Sequence, residues 1–401
     1  MVESWLLELA KGIGRFFIHP MVYIVIGLLL LASIQRIKRE RRDFGIKVFN
    51  IYSEWKGTKG IALLGGLLIS VVSIAVGIVV PYAVVLLMTI FFILSSFLLR
   101  FNWISLTYTM GFTFLVLYFV PIDAVSFLPS VLSDGLAAFD PTSLPILIGI
   151  FLIVEAFLWK KHHNNASFPH YIKGGRGKLI GQHQVKRLGM IPAFMLIPGG
   201  LIEAFASWWP LFTFNGESFG LMLIPFVTGY DVKVKGLSPH QAANQIGNYV
   251  LLLSFVTLAA AIGGLYIPVL SLISVVIAIL GREASVLSVK WQDRARSPLF
   301  TPRHNGLPVL GVIPYSTADK MGLIVGEQIE KVNGQAVSNE EEFHQALQRN
   351  GAYCKMEIRD ASGEIKFAQS AMYQNDHYEL GLIFVKDRHK KEQTKGIRVS
   401  Q

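Results

Sequence analysis

The residues whose types and spacing could carry out chemistry are few in this 401-residue chain. Gly216-Glu-Ser-Phe-Gly220 matches the Gly-x-Ser-x-Gly pattern that presents the nucleophile of many serine hydrolases. That pattern needs a strand-to-helix turn and a histidine partner, whereas Ser218 falls between apolar segments and the apolar stretch 249–280 contains no histidine. An intramembrane serine protease that depends on Ser218 and is regulated by a soluble domain of the same chain is therefore the alternative to a non-enzymatic protein.

Two further motifs fit a known kind of site only in part. Gly174-Gly-Arg-Gly-Lys178 has the composition of a phosphate-binding loop, but Leu179 stands where a Ser or Thr would bind magnesium. We interpret this segment as a flexible basic loop that contacts anionic membrane lipid. His162-His163 lack the His-Glu-x-x-His spacing of a zinc protease. We therefore expect no catalytic residues, no cofactor and no metal ion.

Glu155 and Cys354 bear on two other classes of protein. Glu155 is an acid inside an apolar segment, where carboxylates often serve transport, but it lies close to Trp159-Lys160 at an expected membrane boundary. We predict that its side chain reaches the interface, so a transporter is not supported. Cys354 is the only cysteine, which excludes an intrachain disulfide and a zinc site built on several cysteines.

The amino-acid composition indicates the class of protein to which these candidate residues belong. Hydrophobic residues make up 52% of the chain and charged residues 16%, whereas a soluble globular chain averages about a quarter charged residues. The chain is therefore predicted to be an integral membrane protein. Its formal net charge of +10 could indicate nucleic acid, a membrane surface or acidic partners. Because the basic residues cluster between apolar segments, membrane topology is favoured and nucleic acid is not.

Apolar segments long enough to cross a ~30 Å hydrocarbon core recur through the first part of the chain. The single predicted spans are 16–34, 61–80, 82–99, 103–120 and 144–159. The run 190–230 is predicted to form two spans joined by a turn, or one span and a re-entrant piece. The stretch 249–280 is predicted to form a helical hairpin that turns at Gly263-Gly264. We thus expect an amphipathic lead-in at 1–15 and a transmembrane domain at 16–281.

The loop charges predict the orientation. Lys and Arg are concentrated in 36–59, 160–187 and 282–303, whereas 121–143 contains neither. Since basic loops are retained in the cytoplasm, the three basic segments are predicted to lie inside. If every apolar segment spans, the N-terminus lies outside. Residues 282–303 are predicted to be a juxtamembrane linker, as a helix or a solvated connector, and residues 387–401 form a basic tail.

A soluble domain is expected after the linker. From Gly306 the pattern predicts a strand, a short helix closed by Gly322, a second strand and a hairpin turn at Asn333-Gly334. The run resembles a PDZ domain through Pro314-Tyr-Ser-Thr-Ala318, Met321-Gly-Leu323, Gly326-Glu-Gln-Ile329 and Val332-Asn-Gly334. A helix after Ser338 and strands at 353–359, 364–371 and 378–385 complete the expected α+β domain at 304–386.

The resemblance to PDZ domains also implies a binding groove. PDZ domains add an extended peptide to an exposed strand beside a helix. Leu380-Gly381-Leu382 resembles the apolar-Gly-apolar start of that strand, and its place at the end of the domain indicates circular permutation. The implied groove residues are Tyr378, Glu379, Leu380, Gly381, Leu382, Ile383, Glu340, His344 and Leu347. The acids in this set do not favour a free C-terminal carboxylate, and a closing core strand without a ligand stays an alternative.

Over its whole length the chain resembles the MinJ family of polytopic division-site proteins of endospore-forming rod-shaped bacteria. The resemblance rests on Phe16-Phe-Ile-His-Pro20, Ile37-Lys-Arg-Glu-Arg-Arg42, Gly77-Ile-Val-Val-Pro-Tyr82 and the PDZ-like run. It implies a non-enzymatic adaptor in the cell membrane, enriched at septa and poles, with its PDZ-like domain in the cytoplasm. It also implies the curvature-sensing coiled-coil protein DivIVA and MinD as partners, with MinC, the inhibitor of FtsZ assembly, reached through MinD, and possible contacts with other division proteins.

Overall fold

The computed structural model describes residues 2–97, 100–121, 129–175, 177–206, 208–212, 218–301, 306–350, 353–360, 362–371 and 380–385. Apolar helices dominate the first part of the chain and strands the last. The helices are α1 Val2–Ile18, α2 Pro20–Phe44, α3 Lys59–Val76, α4 Tyr82–Phe97, α5 Leu106–Phe119, α6 Ser130–Ala137, α7 Ser143–Lys160, α8 Pro239–Gly263, α9 Pro268–Ala295, α10 Thr317–Lys320 and α11 Glu340–Gln348. The strands are β1 Phe168–Lys173, β2 Leu179–Glu203, β3 Ser218–Val234, β4 Leu307–Val312, β5 Gln328–Val332, β6 Gln335–Ala336, β7 Tyr353–Arg359, β8 Ile365–Ala371 and β9 Leu382–Phe384.

Helices lie at each predicted single span and at the predicted hairpin 249–280. Among the described residues, α2, α3, α7, α8 and α9 are long and apolar enough to cross a membrane, and α4 and α5 are shorter apolar helices. Residues 249–280 fall on α8 and α9, which are joined at Gly263-Gly264 as predicted.

Capping residues and prolines determine where several of these helices begin. Ser238 closes a capping box with Gln241 at the start of α8, and proline at the first turn of α2, α8 and α9 places its missing N–H where no helical partner exists.

The prediction of transmembrane helices in 190–230 is wrong. This run forms most of a long antiparallel hairpin of β2 and β3, paired from His183 opposite Val234 to Glu203 opposite Ser218. Proline explains the outcome, because it lacks the N–H that a helix interior needs and its ring clashes with the preceding turn. Pro192 and Pro225 lie directly opposite each other in the hairpin.

The hairpin lies beside α3 along the whole of that helix. The Leu188 N–H donates to Glu54 O at 3.2 Å near the start of α3, and the Val80 N–H donates to Leu196 O at 2.7 Å just beyond its end. The close approach requires glycine at Gly66, because a Cβ there would lie 2.0 Å from Pro192 O. The β2–β3 hairpin therefore lies alongside a helix that is long and apolar enough to cross a membrane.

Serine side chains of α3 satisfy the outer edge of β2. At Phe194 the N–H donates to Ser70 Oγ at 2.8 Å, and the C=O accepts from Ser73 Oγ at 3.0 Å. These bonds matter because apolar surroundings offer no water to an unpaired backbone group. The serines thus replace a neighbouring strand.

The outer edge of β3 is covered by α1 and by the connection between α4 and α5. Leu221 donates its N–H to Glu8 Oε2 at 3.4 Å and accepts at its C=O from Arg15 Nη1 at 2.6 Å. Further along, the Asp231 N–H donates to Asn102 Oδ1 at 2.6 Å. The predicted lead-in is therefore a helix that extends to Ile18 and packs its buried Glu8 against the hairpin.

A buried ion pair joins α7, α9 and the hairpin. Arg282 Nε lies 2.8 Å from Glu155 Oε1, and the other oxygen of Glu155 accepts from Ser105 Oγ at 2.9 Å and Thr228 Oγ1 at 3.2 Å. Glu155 is buried, so its predicted reach to the interface is wrong. Arg282, placed by sequence in the linker, lies inside the bundle because α9 continues without a break to Ala295. Apolar length alone could not indicate that these two residues meet.

The C-terminal part forms the predicted α+β domain. Its sheet has the order β8-β7-β5-β4-β9, with β6 paired to β5. Asn333 and Gly334 both have positive φ, as expected for the hairpin turn between β5 and β6. Among the described strands, the one beside β4 comes last, which is the permuted order that the sequence predicted.

We predict that the double substitution Ser70→Ala, Ser73→Ala lowers the free energy of unfolding of the detergent-solubilised protein by about 2–6 kcal/mol. It leaves the N–H and C=O of Phe194 without their partners, and each unsatisfied buried backbone group costs about 1–3 kcal/mol. Thermal unfolding measures the change. The control is Ser96→Ala, Ser285→Ala, which removes hydroxyls that bond only to carbonyls of their own helices. Equal loss in both variants would contradict the edge-pairing role.

Candidate peptide-binding groove

Strand β9 and helix α11 form the two walls of the predicted groove. β9 pairs with β4 and lies at an end of the sheet. Successive side chains of a strand point to opposite faces, and on one face the ring of Phe384 contacts the ring of Phe343 in α11 at 5.0 Å between centroids. The two walls are therefore in direct contact where Phe384 meets Phe343.

The turn that precedes β9 is fixed against α10. Leu380 and Gly381 both have positive φ, and their carbonyls accept from Ala318 N–H at 2.9 Å and Ile313 N–H at 2.7 Å. Glycine is required at 381, because a Cβ there would lie 2.1 Å from the Cβ of Ser316. The apolar-Gly-apolar element is thus a tight, preformed turn.

The predicted groove residues divide into three groups. Leu380, Leu382, Ile383 and Leu347 are buried in the apolar core of the domain, and Leu347 is 1% exposed. Glu340 and His344 are half-buried on α11 and form the accessible rim. Tyr378 and Glu379 lie outside the described residues. A ligand would therefore contact the edge of β9 and the rim rather than the buried side chains.

The first turn of α11 keeps its negative charge in place. Asn339 caps the helix by accepting from the Glu342 N–H at 2.9 Å, and Ser338 donates its hydroxyl to Glu342 Oε2 at 2.7 Å. Acids in a first turn are favoured by the helix dipole. Glu340 shares this turn, so the rim of the groove is acidic for a local reason.

The other face of β9 is covered by the membrane part of the chain. Pro169 of β1 and Ile383 both lie against Gly311, where a Cβ would be 3.2 Å from each of them. The hydroxyl of Tyr171 donates to Phe384 O at 2.6 Å. β9 is therefore enclosed between α11 and β1, and one of its acceptors is already used by the chain itself.

The surfaces that meet here form a larger junction, defined by Val48, Phe49, Phe168 and Phe300 on the membrane part and Val309 and Leu310 on the PDZ-like domain. All six side chains are buried in one apolar cluster. Polar bonds cross the junction as well. Asn165 donates to Leu323 O at 2.8 Å and accepts from the Val325 N–H at 2.9 Å. The domain is thus fixed to the membrane part rather than tethered by a free linker.

Arg36 holds the α2–α3 connection in the shape that the junction needs. Its guanidinium lies 2.7 Å from both Glu54 Oε1 and Glu40 Oε1 and stacks over the Phe168 ring at 4.7 Å. Glu40 in turn accepts from the N–H groups of Val48 and Phe49 at 2.9 and 3.2 Å. From the sequence, Arg36 was assigned to the basic segment 36–59, and the spacing of the residues around it did not indicate this buried network.

Histidines line the same junction. His183 is fully buried, shares a hydrogen bond of 2.8 Å with Ser167 Oγ and lies 4.6 Å from the Phe300 ring. Burial and the nearby His170 lower the pKa of His183 to about 3. Burial and Arg39 lower the pKa of His170 to about 4. Both residues are therefore neutral in the folded protein at pH 7.

The motifs considered for catalysis lie away from the groove. Ser218 is the first residue of β3, opposite Glu203, and within the described ranges its side chain bonds to no histidine or lysine. Gly174 and Lys178 belong to the connection between β1 and β2, where the Gly174 N–H donates to Lys178 O at 2.8 Å. In the part of the chain that the structure describes, no group of three or more His, Cys, Asp or Glu could hold a metal ion.

Comparisons with known proteins agree with this architecture. A family model for the PDZ domain matches residues 309–360, from β4 to just after β7. The chain is 35% identical over 394 residues to the cell division topological determinant MinJ of Bacillus subtilis (strain 168), covering 98% of each chain. Probable cell division topological determinants MinJ of Lacticaseibacillus paracasei and Lacticaseibacillus casei are each 33% identical over 93 residues, which is 23% of this chain and 25% of theirs.

We predict that stability falls as the pH drops from about 6.5 towards 4. In that range the unfolded chain binds protons at His170 and His183 while the folded chain does not, so the free energy of unfolding decreases by about 1 kcal/mol per pH unit for each histidine. Thermal unfolding at several pH values measures the slope. His183→Gln should reduce it, whereas the control Gln348→Ala, an exposed substitution that removes no titratable group, should not. An unchanged slope in His183→Gln would contradict the assignment.

Proposed function

Because the chain belongs to the MinJ family, we propose that it is a non-enzymatic membrane scaffold of division-site selection. In this proposal it links a polar or septal curvature-sensing coiled-coil protein of the DivIVA type to MinD, and through MinD to MinC. MinC inhibits FtsZ assembly, so division is prevented near poles and completed septa. The observation that carries the proposal is the fixed junction between a multi-span membrane part and a PDZ-like domain.

The junction suits a scaffold for an energetic reason. A partner held at the membrane is restricted to a thin layer, so a weak contact can still recruit it through its effective concentration. The PDZ-like domain contacts 48–49, 168 and 300, which belong to or adjoin the basic segments. By the positive-inside rule that side faces the cytoplasm. The protein would then present the domain to cytoplasmic division proteins at septa and poles.

The groove between β9 and α11 is the proposed contact for a protein segment. Strand addition uses main-chain hydrogen bonds, which the edge of β9 can offer, and specificity then comes from side chains at the rim. Glu340 repels a free C-terminal carboxylate and favours basic residues in the ligand. The proposed ligand is therefore an internal, basic segment of a partner.

Residues 174–178 remain the proposed contact with anionic lipid outside the groove. Lys178 in this connection and Lys173, the last residue of β1, are both exposed. Exposed lysines near an anionic surface attract it without a dedicated cavity. The loop would add to membrane attachment but not to partner choice.

We predict that Glu340→Ala, His344→Ala reduces recruitment of the partner several-fold while the tagged protein itself stays at septa and poles. The two side chains form the accessible rim of the groove, whereas the junction is untouched. The measurement is the septal fraction of fluorescent MinD and of the DivIVA-type protein in cells that carry only the variant. Glu364→Ala, Gln348→Ala is the matched control on exposed positions of the same domain.

Unchanged recruitment by the rim variant would show that the groove is not the contact. Point substitutions are preferable to deletion of residues 306–401, because deletion would expose Phe49, Phe168 and Phe300 at the junction. A mislocalised truncation could then reflect aggregation instead of a lost contact.

We predict that Ser218→Ala leaves cell length and septal recruitment of MinD unchanged, since a scaffold needs no nucleophile at that position. Ser218 sits at the start of a strand and not at a strand-to-helix turn. Cell length and MinD fluorescence are measured beside the unsubstituted protein. Loss of function with normal localisation would favour the protease instead.

A further inference from the structure

A cleft of about 720 Å³ opens where the end of α9, the α4–α5 connection and the β1–β3 sheet come together. It is separate from the groove, and its size falls in the range of small-ligand sites, roughly 300–1,000 Å³. Its walls combine Trp103 and Leu287 with a set of charged side chains. The cleft therefore has both an apolar and an ionic part.

The basic side chains of the cleft lack ionic partners. They are Arg100, Lys233, Lys235, Lys290 and Arg294. In the described ranges of the chain, none of them lies within 4.0 Å of an acidic oxygen. A net excess of positive charge in a cleft with protein walls concentrates anions there.

The acidic side chains of the cleft are already engaged. Asp293 accepts from the N–H groups of Lys235, Gly236 and Leu237 at 2.8 to 3.1 Å. Asp231 accepts from Gln184 Nε2 at 2.7 Å. Glu283 accepts from the hydroxyl of Tyr108. These acids hold the walls together and keep their negative charge, so the five basic side chains of the lining exceed its three acids by two charges.

The position of the cleft relates it to the bilayer surface. α9 is apolar up to Leu280 and becomes charged from Arg282 onward, so the cleft lies where this helix leaves the hydrocarbon. Trp103 and Leu287 are each 42% exposed beside the basic residues. Tryptophan is typical of membrane interfaces, where one part of a side chain contacts acyl chains and the other contacts headgroups.

We propose that this cleft binds the phosphate of an anionic phospholipid headgroup, with Lys235 and Lys290 as its main charge contacts and Trp103 and Leu287 against the upper acyl chains. Both lysines are half-buried within the cleft, whereas Lys233, Arg100 and Arg294 are exposed at its margin. A phosphate placed between them would receive ammonium donors from the residue that follows β3 and from α9. The bound lipid would thereby join β3 to α9.

The test uses the full-length protein in neutral detergent. Titration with phosphatidylglycerol, followed by native mass spectrometry, gives the bound fraction and an apparent Kd, and phosphatidylcholine tests the need for net negative charge. Glycerol 3-phosphate, followed by thermal unfolding, distinguishes a soluble phosphate from a lipid. We expect phosphatidylglycerol to bind more tightly than phosphatidylcholine and glycerol 3-phosphate to have no effect at the same concentration.

We expect Lys235→Gln, Lys290→Gln to weaken phosphatidylglycerol binding by at least about fivefold for each lysine removed. Lys235→Arg, Lys290→Arg should retain binding, which shows that the effect depends on charge and not on misfolding. Lys320→Gln, Arg349→Gln removes the same charge from exposed sites of the PDZ-like domain and should also retain it.

Three results would overturn the proposal. Binding that is unchanged in the Gln variant, or weakened equally in the control, would leave only non-specific attraction to a basic protein. Equal affinity for phosphatidylcholine would remove the role of anionic charge. Stabilisation by glycerol 3-phosphate to the same extent as by the lipid would assign the cleft to a soluble phosphate compound.

Discussion

A β-hairpin that lies among membrane-spanning helices must find a partner for each backbone N–H and C=O, because no water is available at that depth. β2 and β3 satisfy each other on one edge, and beyond the residues of β2 that pair with β1 the second edge of each strand faces helices. The remainder of the membrane part is arranged to complete those edges. Ser70 and Ser73 serve β2, while Glu8 and Arg15 of α1 serve β3. This requirement explains why polar residues occur in helices that otherwise read as apolar spans.

The same constraint explains why some basic residues that resemble orientation signals in the sequence are buried and hydrogen-bonded in the structure. Arg282 donates to Gly229 O on the edge of β3 at 3.1 Å and pairs with Glu155. A buried pair compensates the loss of hydration only when further hydrogen bonds satisfy both groups, and Ser105 and Thr228 supply them to the carboxylate. Arg36 is likewise enclosed by Glu40 and Glu54. Such residues fix helix and loop geometry in addition to any effect on orientation.

Sequence patterns predicted the elements that depend on local rules. Apolar length located α2 to α5, and Gly263-Gly264 located the α8–α9 turn. Turn residues at fixed offsets located the PDZ-like strands, since positive φ at Asn333 and Gly334 leaves few alternatives. Apolar composition alone predicted helical spans where the β2–β3 hairpin lies. Pro192, Pro198 and Pro225 disfavour a helix, and they were the sequence feature that could have indicated the hairpin.

The contacts that decide the junction could not be predicted in this way, because they join residues far apart in the chain. Tyr171 contacts Phe384, and Asn165 contacts Leu323 and Val325. No spacing rule relates such positions, and each residue alone is typical of an ordinary loop or strand. For the same reason the acidic rim of the groove could be read from Glu340, whereas the burial of Leu347 and Ile383 required the packed structure.

The enclosure of β9 has a consequence for how a scaffold of this kind would work. β9 contacts α11 through Phe384 on one side and the membrane part through Ile383 and Tyr171 on the other. A ligand that shifts β9 must therefore also change the contacts between β9 and β1. The free energy of ligand binding is then coupled to the free energy with which the domain docks on the membrane part. Such linkage is reciprocal: a partner that prefers the docked arrangement strengthens docking, and docking strengthens its binding by the same factor. The junction can thus make partner affinity depend on the membrane part without a ligand ever touching a spanning helix.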